Sequence, residues 1–280
     1  MRLNGRRQSS NVSDQRGSRG GGNGFKIGGG ITAVIIAAVI AWISGGNPLD
    51  VLLSNSGQLI GGTEQTSGEY TPTQEEEELA TFSRQILAGT EDVWTKLFEE
   101  QGLEYEPPTL VLFTDAVRSG CGNASASTGP FYCSADERLY IDLSFFRDMR
   151  RTLGADGDFA YAYVIAHEVG HHVQHLLGTL GDAHSRMAQL SDAEANRISV
   201  GIELQADYYA GVWAHHDNKI FGSLEDGDIE EALDAAQKIG DDYLQKKAQG
   251  YAVPDSFTHG TSAQRENALK SGLRTGKFPQ

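Results

Sequence analysis

The stretch YVIAHEVGHHVQHLLG, residues 163–178, places four of the chain's eight histidines within nine positions, amid Val, Ile, Leu, Ala and Gly. An apolar helix of this kind has to be buried, yet buried imidazoles and the single Glu168 need polar partners. A fold that satisfies both conditions must bring polar groups or an ion to the middle of a core helix. Within the stretch, His167-Glu168-Val169-Gly170-His171 reads H-E-x-x-H. Residues i and i+4 share a helix face, so both imidazoles reach one ion. Zinc held by two nitrogens keeps two tetrahedral positions, one for a third protein ligand and one for water. Glu168 reaches that water without being a ligand and can take its proton, as metal-assisted amide hydrolysis requires. The plainer alternative, a helix with solvent-facing histidines, fits the apolar setting poorly.

The third ligand is expected from VGIELQADYYAGVWA, where Glu203 and Asp207 lie four apart on another apolar helix. Two buried carboxylates without partners would each cost several kcal/mol, roughly. Both are accounted for if Glu203 binds the ion and Asp207 accepts a hydrogen bond from a ligating imidazole, fixing its tautomer. Two imidazoles and one carboxylate suit zinc, one per chain.

Charge divides the chain. Residues 1–26 carry six basic side chains against Asp14 alone, which leaves the remainder at −20 of the total −15. An acidic body repels phosphate backbones, and nucleic acid is not an expected partner. After the basic segment, IGGGITAVIIAAVIAWI, residues 27–43, runs seventeen positions without a charge. At ~1.5 Å per residue it spans roughly 25 Å, close to the ~30 Å bilayer core. One transmembrane anchor is expected there, with a cleaved signal peptide ending near Ser44-Gly45-Gly46 as the alternative. The basic flank then stays cytoplasmic and the acidic body lies outside the bacterial inner membrane. In that compartment Cys121 and Cys133, the only cysteines, are most simply one disulfide, worth about 3 kcal/mol in the entropic account. Two free thiols are the alternative, and C-x11-C lacks zinc spacing.

The organisation expected is a disordered basic tail (1–26), an anchor (27–43), a polar linker (44–72) and one α+β, mostly helical domain (73–280). Thr73 and Glu76 form a capping box opening a helix that Gly89 divides in two. TLVLFT (109–114) reads as a buried strand and RLYIDL (138–143), by its alternation, as a half-exposed one. A short helix (144–153), the histidine helix (158–177), a loop to Leu190, a helix from the Ser191/Glu194 box to about His215 and three more helices complete the pattern.

H-E-x-x-H followed by E-x-x-x-D resembles the gluzincin metallopeptidases. More narrowly, CGNASASTGPFYC, YIDLSFF, AHEVGHHVQ and ELQADYYAGVWA resemble a bacterial membrane-anchored neutral zinc metallopeptidase family, from about Glu75 to the C-terminus. The resemblance implies a zincin-like fold with an edge strand above the active-site helix, for which Phe131–Cys133 and Arg138–Leu143 are candidates. It implies His167, His171 and Glu203 as ligands, Glu168 as general base and Asp207 as support. The metzincin pattern is excluded, since Gln174 and Leu177 stand where it needs Gly and His. His172 and His175 are expected to pack or line the cleft, and His184, His215 and His216 to sit in a loop or at a helix end. His259 and Arg265, in THGTSAQR, resemble a late histidine and buttressing arginine of integral-membrane gluzincins that process prenylated proteins, although Gly260 replaces a proline. On that likeness His259 stabilises the oxyanion and Arg265 braces the site, with Tyr208 and Tyr209 as alternative donors. The activity expected is endopeptidase action on extracytoplasmic proteins or peptides. A zinc-holding peptide-binding protein and a zinc amidase acting on non-protein substrates are the rivals.

Overall fold

The computed structural model describes residues 1–18 and 70–278. The proposed anchor and all but the last three linker residues lie outside the described residues. Among the described residues no helix is long and apolar enough to cross a membrane.

Strand β1 (Val12–Asp14) lies far from the domain in sequence but forms one edge of its main sheet. Helix α1 (Gln74–Glu100) follows, capped by Thr73 through the reciprocal bonds with Glu76. Next come β2 (Thr109–Phe113), the hairpin β3 (Ala116–Ser119) and β4 (Gly122–Ser125), then β5 (Phe131–Cys133) and β6 (Arg138–Asp142). Helix α2 (Ser144–Asp148) runs into a wider π-type turn, Met149–Leu153. The histidine helix α3 (Asp158–Leu176), α4 (Thr179–Met187) and α5 (Asp192–Phe221) come next, then α6 (Asp228–Lys238), α7 (Asp241–Gln249) and α8 (Ser262–Thr275).

The main sheet has the order β1-β2-β6-β5, with β1 and β6 parallel to β2 and β5 antiparallel to β6. The architecture is mostly helical α+β with small sheets, as expected. β6 is buried from Leu139 to Asp142, not half-exposed. Its alternation is real but divides two cores: Leu139 and Ile141 join the main helical core, while Tyr140 joins a smaller cluster with Val111, Phe113 and Phe131. Residues 179–187, expected as loop, form α4. The disulfide Cys121–Cys133 is present and pins the β3–β4 turn to the edge strand β5.

The tail expected to be disordered is instead ordered through residue 18. Arg6 makes two bonds to fully buried Asp217, at 2.7 and 3.2 Å, and its guanidinium stacks 3.8 Å from the centre of the Phe221 ring. Buried Glu91 receives Arg7 at 2.8 Å, Ser9 Oγ at 2.5 Å and Asn11 Nδ2 at 2.8 Å. Composition suggests disorder because the arm's apolar content is low; it is held by buried carboxylates of the domain, a long-range feature that composition does not carry. Gly89 is explained by the same contact. A Cβ there would fall 2.7 Å from the Arg6 guanidinium and 2.8 Å from Asp217, so the glycine makes room for the ion pair within one unbroken helix. Gly17 lies against Tyr70, so the two described segments approach each other near residues 18 and 70. The arm thus packs on the domain, and the crossing expected at 27–43, on which its cytoplasmic placement rested, lies outside the described residues.

Candidate metal centre

Helices α3 and α5 cross at the H-E-x-x-H motif. A Cβ at Gly170 would sit 3.0 Å from the carbonyl oxygen of Ala206, so the glycine inside the motif sets how closely the two ligand-bearing helices approach. That approach brings His167, His171 and Glu203 together, with one donor atom from each lying within 4.8 Å of the others. His167 Nε2 is 3.2 Å from Glu203 Oε2 and His171 Nε2 is 3.5 Å from Glu203 Oε1. All three are buried.

Each imidazole is aimed by its other nitrogen. His167 Nδ1 lies 2.8 Å from Asp207 Oδ1. Asp207, fully buried, also accepts Tyr163 Oη at 2.6 Å and the Arg265 guanidinium at 2.8 and 2.9 Å. Arg265 comes from the first turn of α8, and its carboxylate partner is the one the sequence set beside the metal. His171 Nδ1 lies 2.9 Å from Gln174 Oε1, while Gln174 Nε2 donates to Ile202 O at 2.7 Å and Gln205 Oε1 at 3.0 Å. Donation to Ile202 fixes which end of the amide faces the histidine. His171 therefore carries its proton on Nδ1 and presents a lone pair at Nε2.

The charges follow from these contacts. Burial opposes protonation of His167, but Asp207 and Glu203 outweigh it and raise its pKa to about 10. For His171 burial prevails over the attraction of Glu203 and lowers the pKa to about 4. Burial opposes ionisation of Glu203 and Asp207 as well. His171, His259 and His167 nevertheless hold Glu203 well below the usual range, and Arg265 and His167 bring Asp207 to about 2. Once His167 gives up its Nε2 proton to an ion, the site offers two imidazole nitrogens and an ionised carboxylate, a donor set that fits zinc.

Glu168 is 3% exposed, and its Oε2 has no hydrogen-bond partner among the described residues. Burial pushes its pKa up to about 7, against the pull of His167. His259 is placed similarly. Its Nδ1 lies 3.1 Å from Asp241 Oδ1 and its backbone N–H donates to Asp241 Oδ2 at 2.7 Å. Its buried Nε2 is also without a partner among the described residues. Glu168, His167, Glu203, His259 and Arg265 all line one cavity of about 440 Å³.

The other histidines lie elsewhere. His172 is fully buried between Tyr132 Oη at 3.0 Å and Glu106 O at 2.6 Å, and His175 faces Glu137 at 3.4 Å. Tyr208 bonds to Lys277 O and Tyr209 packs in the core, so neither alternative donor reaches the cavity. Sequence reasoning missed Gln174 and Asp241. The first was detectable, standing one turn after His171 on the same helix face. Asp241 lies eighteen residues before His259 on a separate helix, and no local signal joins them.

A family described as "Putative neutral zinc metallopeptidase" matches residues 1–280, the N-terminal arm included. "Uncharacterized protein YpfJ" of Escherichia coli strain K12 is 49% identical over 280 residues, covering 99% of this chain and 96% of that one. "Uncharacterized protein Rv2575" of Mycobacterium tuberculosis strain H37Rv is 42% identical over 182 residues, 61% of this chain and 60% of its own. No solved structure matches.

Proposed function

Because the chain belongs to the neutral zinc metallopeptidase family, we propose that it is a zinc-dependent endopeptidase cutting proteins or peptides outside the cytoplasm. One observation supports this reading above the others: Glu168 is a buried carboxylate with an unpartnered oxygen and a pKa near 7, beside three converging donors. A site that only bound zinc would have no use for it. When bound by His167, His171 and Glu203, zinc supplies a Lewis acid that polarises the scissile carbonyl. Glu168 takes a proton from the attacking water and passes it to the leaving amine. His259, oriented by Asp241, donates from Nε2 to the developing oxyanion when that nitrogen is protonated. The edge strand β5, unpaired on one side among the described residues, offers that side to an extended substrate, and the disulfide at Cys133 holds it in place.

The disulfide favours an extracytoplasmic domain, since such bonds persist in oxidising compartments. The apolar run 27–43 is proposed as its membrane attachment.

Glu168→Gln is expected to retain about one zinc per chain and to lose roughly 10²–10⁴ of the rate on an unfolded test protein. Wild-type protein that holds zinc and cleaves nothing across a broad peptide library would make it a peptide-binding protein. Mass spectrometry that finds only non-peptide products would make it an amidase.

A further inference from the structure

The cavity extends well beyond the metal centre. Its walls away from the metal centre are Phe145 on α2, Met149 and Leu153 of the π-type turn, Val164 one turn before Glu168, and Ile239 after α6. The charged groups lining that side, Asp148 and Arg151, are paired with each other at 3.2 Å and are both more than two-fifths exposed. From outside, Lys247 Nζ donates to Thr152 O at 2.5 Å and Lys238 Nζ to Gly154 O at 2.8 Å, holding the wall in place. At about 440 Å³ the space is within the ~300–1,000 Å³ of ordinary ligand cavities.

Resting on the peptidase reading, we propose that this wall receives a large uncharged apolar side chain next to the scissile bond, and that the substrates are unfolded or extended polypeptides. A charged side chain would lose water against this wall, whose charged side chains among the described lining residues, Asp148 and Arg151, are already paired, whereas Leu, Ile, Met or Phe would bury its surface against the five apolar residues. The second half follows from the first. Folded proteins bury most such side chains, so a site that selects them meets them chiefly in unfolded or extended chains.

The test uses the full zinc-loaded chain on one disulfide-reduced, alkylated protein and on its native form, with products sequenced by mass spectrometry. Cuts beside Leu, Ile, Met or Phe are expected to exceed those beside Asp, Glu, Lys or Arg by roughly tenfold or more, and the native form to be spared. Ile239→Glu, at a half-buried position, is expected to lower apolar cleavage by about tenfold and to raise cuts beside Lys or Arg. Phe145→Ala, which only enlarges the wall, is expected to shift preference toward the largest side chains. In the metal-free protein, N-acetyl-phenylalaninamide but not N-acetyl-lysinamide is expected to perturb the NMR signals of the wall residues, and Ile239→Glu to abolish this. Cleavage without apolar preference, or with a preference unchanged by both variants, overturns the inference and leaves the peptidase standing. Cleavage of native and unfolded protein alike overturns its second half. No cleavage of any substrate, with the apolar amide still bound at the wall, overturns the peptidase reading and leaves the chemistry of the cavity.

Discussion

Two groups of buried carboxylates lie along helix α5 and its neighbours, and they are treated in opposite ways. At the helix C-terminal end Asp217 is closed by both arms of the Arg6 guanidinium, while nearby Glu91 on α1 takes Arg7, Ser9 and Asn11. Around the middle of the same helix Glu203 meets two histidines across a gap, and the cavity-lining Glu168 and His259 each keep an atom without a partner among the described residues. The first arrangement is saturated and belongs to architecture. The second is left unfinished, at the site where the proposed substrate and ion would bind. Burial alone does not separate the two groups; what sets the second apart is unpartnered polar atoms on residues that share one cavity with converging metal-ligand donors.

The sharpest way to break this contrast is Arg6→Ala. It leaves the Asp217 carboxylate buried without its partner and is expected to cost about 3–5 kcal/mol in denaturant unfolding. Zinc affinity, measured by chelator competition, should stay within about twofold, because distant sites are nearly additive. A comparable loss of zinc affinity would show that the two clusters are one. The docked arm also predicts that a cysteine placed at exposed Ser10 and one placed at exposed Lys219 react alike with a membrane-impermeant thiol reagent in intact cells. Opposite labelling would mean that the arm is undocked there.

A smaller effect is expected at the metal. Gln174→Leu removes the group that sets the His171 tautomer and should weaken zinc by roughly 10–100-fold. Gln174→Asn, too short to reach, should resemble Leu. An unchanged affinity in both would mean that the crossing of α3 and α5 aims His171 by itself.

The mildest change is with pH. In the metal-free protein His167 keeps its proton up to about 10, so zinc must displace it. Affinity should therefore rise about tenfold per pH unit between 7 and 9, with one proton released per zinc. Asp207 acts on the stability of the fold, and at lower pH. Its folded pKa is depressed to about 2 from 3.8, so its contribution is full above about pH 4 and fades as pH falls toward 2. Acid unfolding of the metal-free protein that is unaltered by Asp207→Asn would remove that account.

Much of the metal centre was legible because it is written in helical spacing. His167 and His171, and likewise Glu203 and Asp207, are each one turn apart, and that geometry is local. The apolar surroundings then force the two pairs toward each other. The N-terminal arm was misread for the converse reason. Its arginines and Asn11 look solvated in sequence, and their partners, Glu91 and Asp217, stand 80 and 211 residues away. β6 was misjudged because its alternation was taken as core against water, when it divides core from core.

The sequence by itself determined which side chains meet on one helix face, where the helices are capped, and that a metal-assisted hydrolysis has its parts here. Tertiary structure decided what lies between helices: Arg265 on Asp207, Asp241 behind His259, the apolar wall beside Glu168 and the arm across Asp217. The physical reason is range. Helical periodicity fixes neighbours within one turn, whereas pairing of buried charge is set by how the helices pack, and only the folded chain shows that.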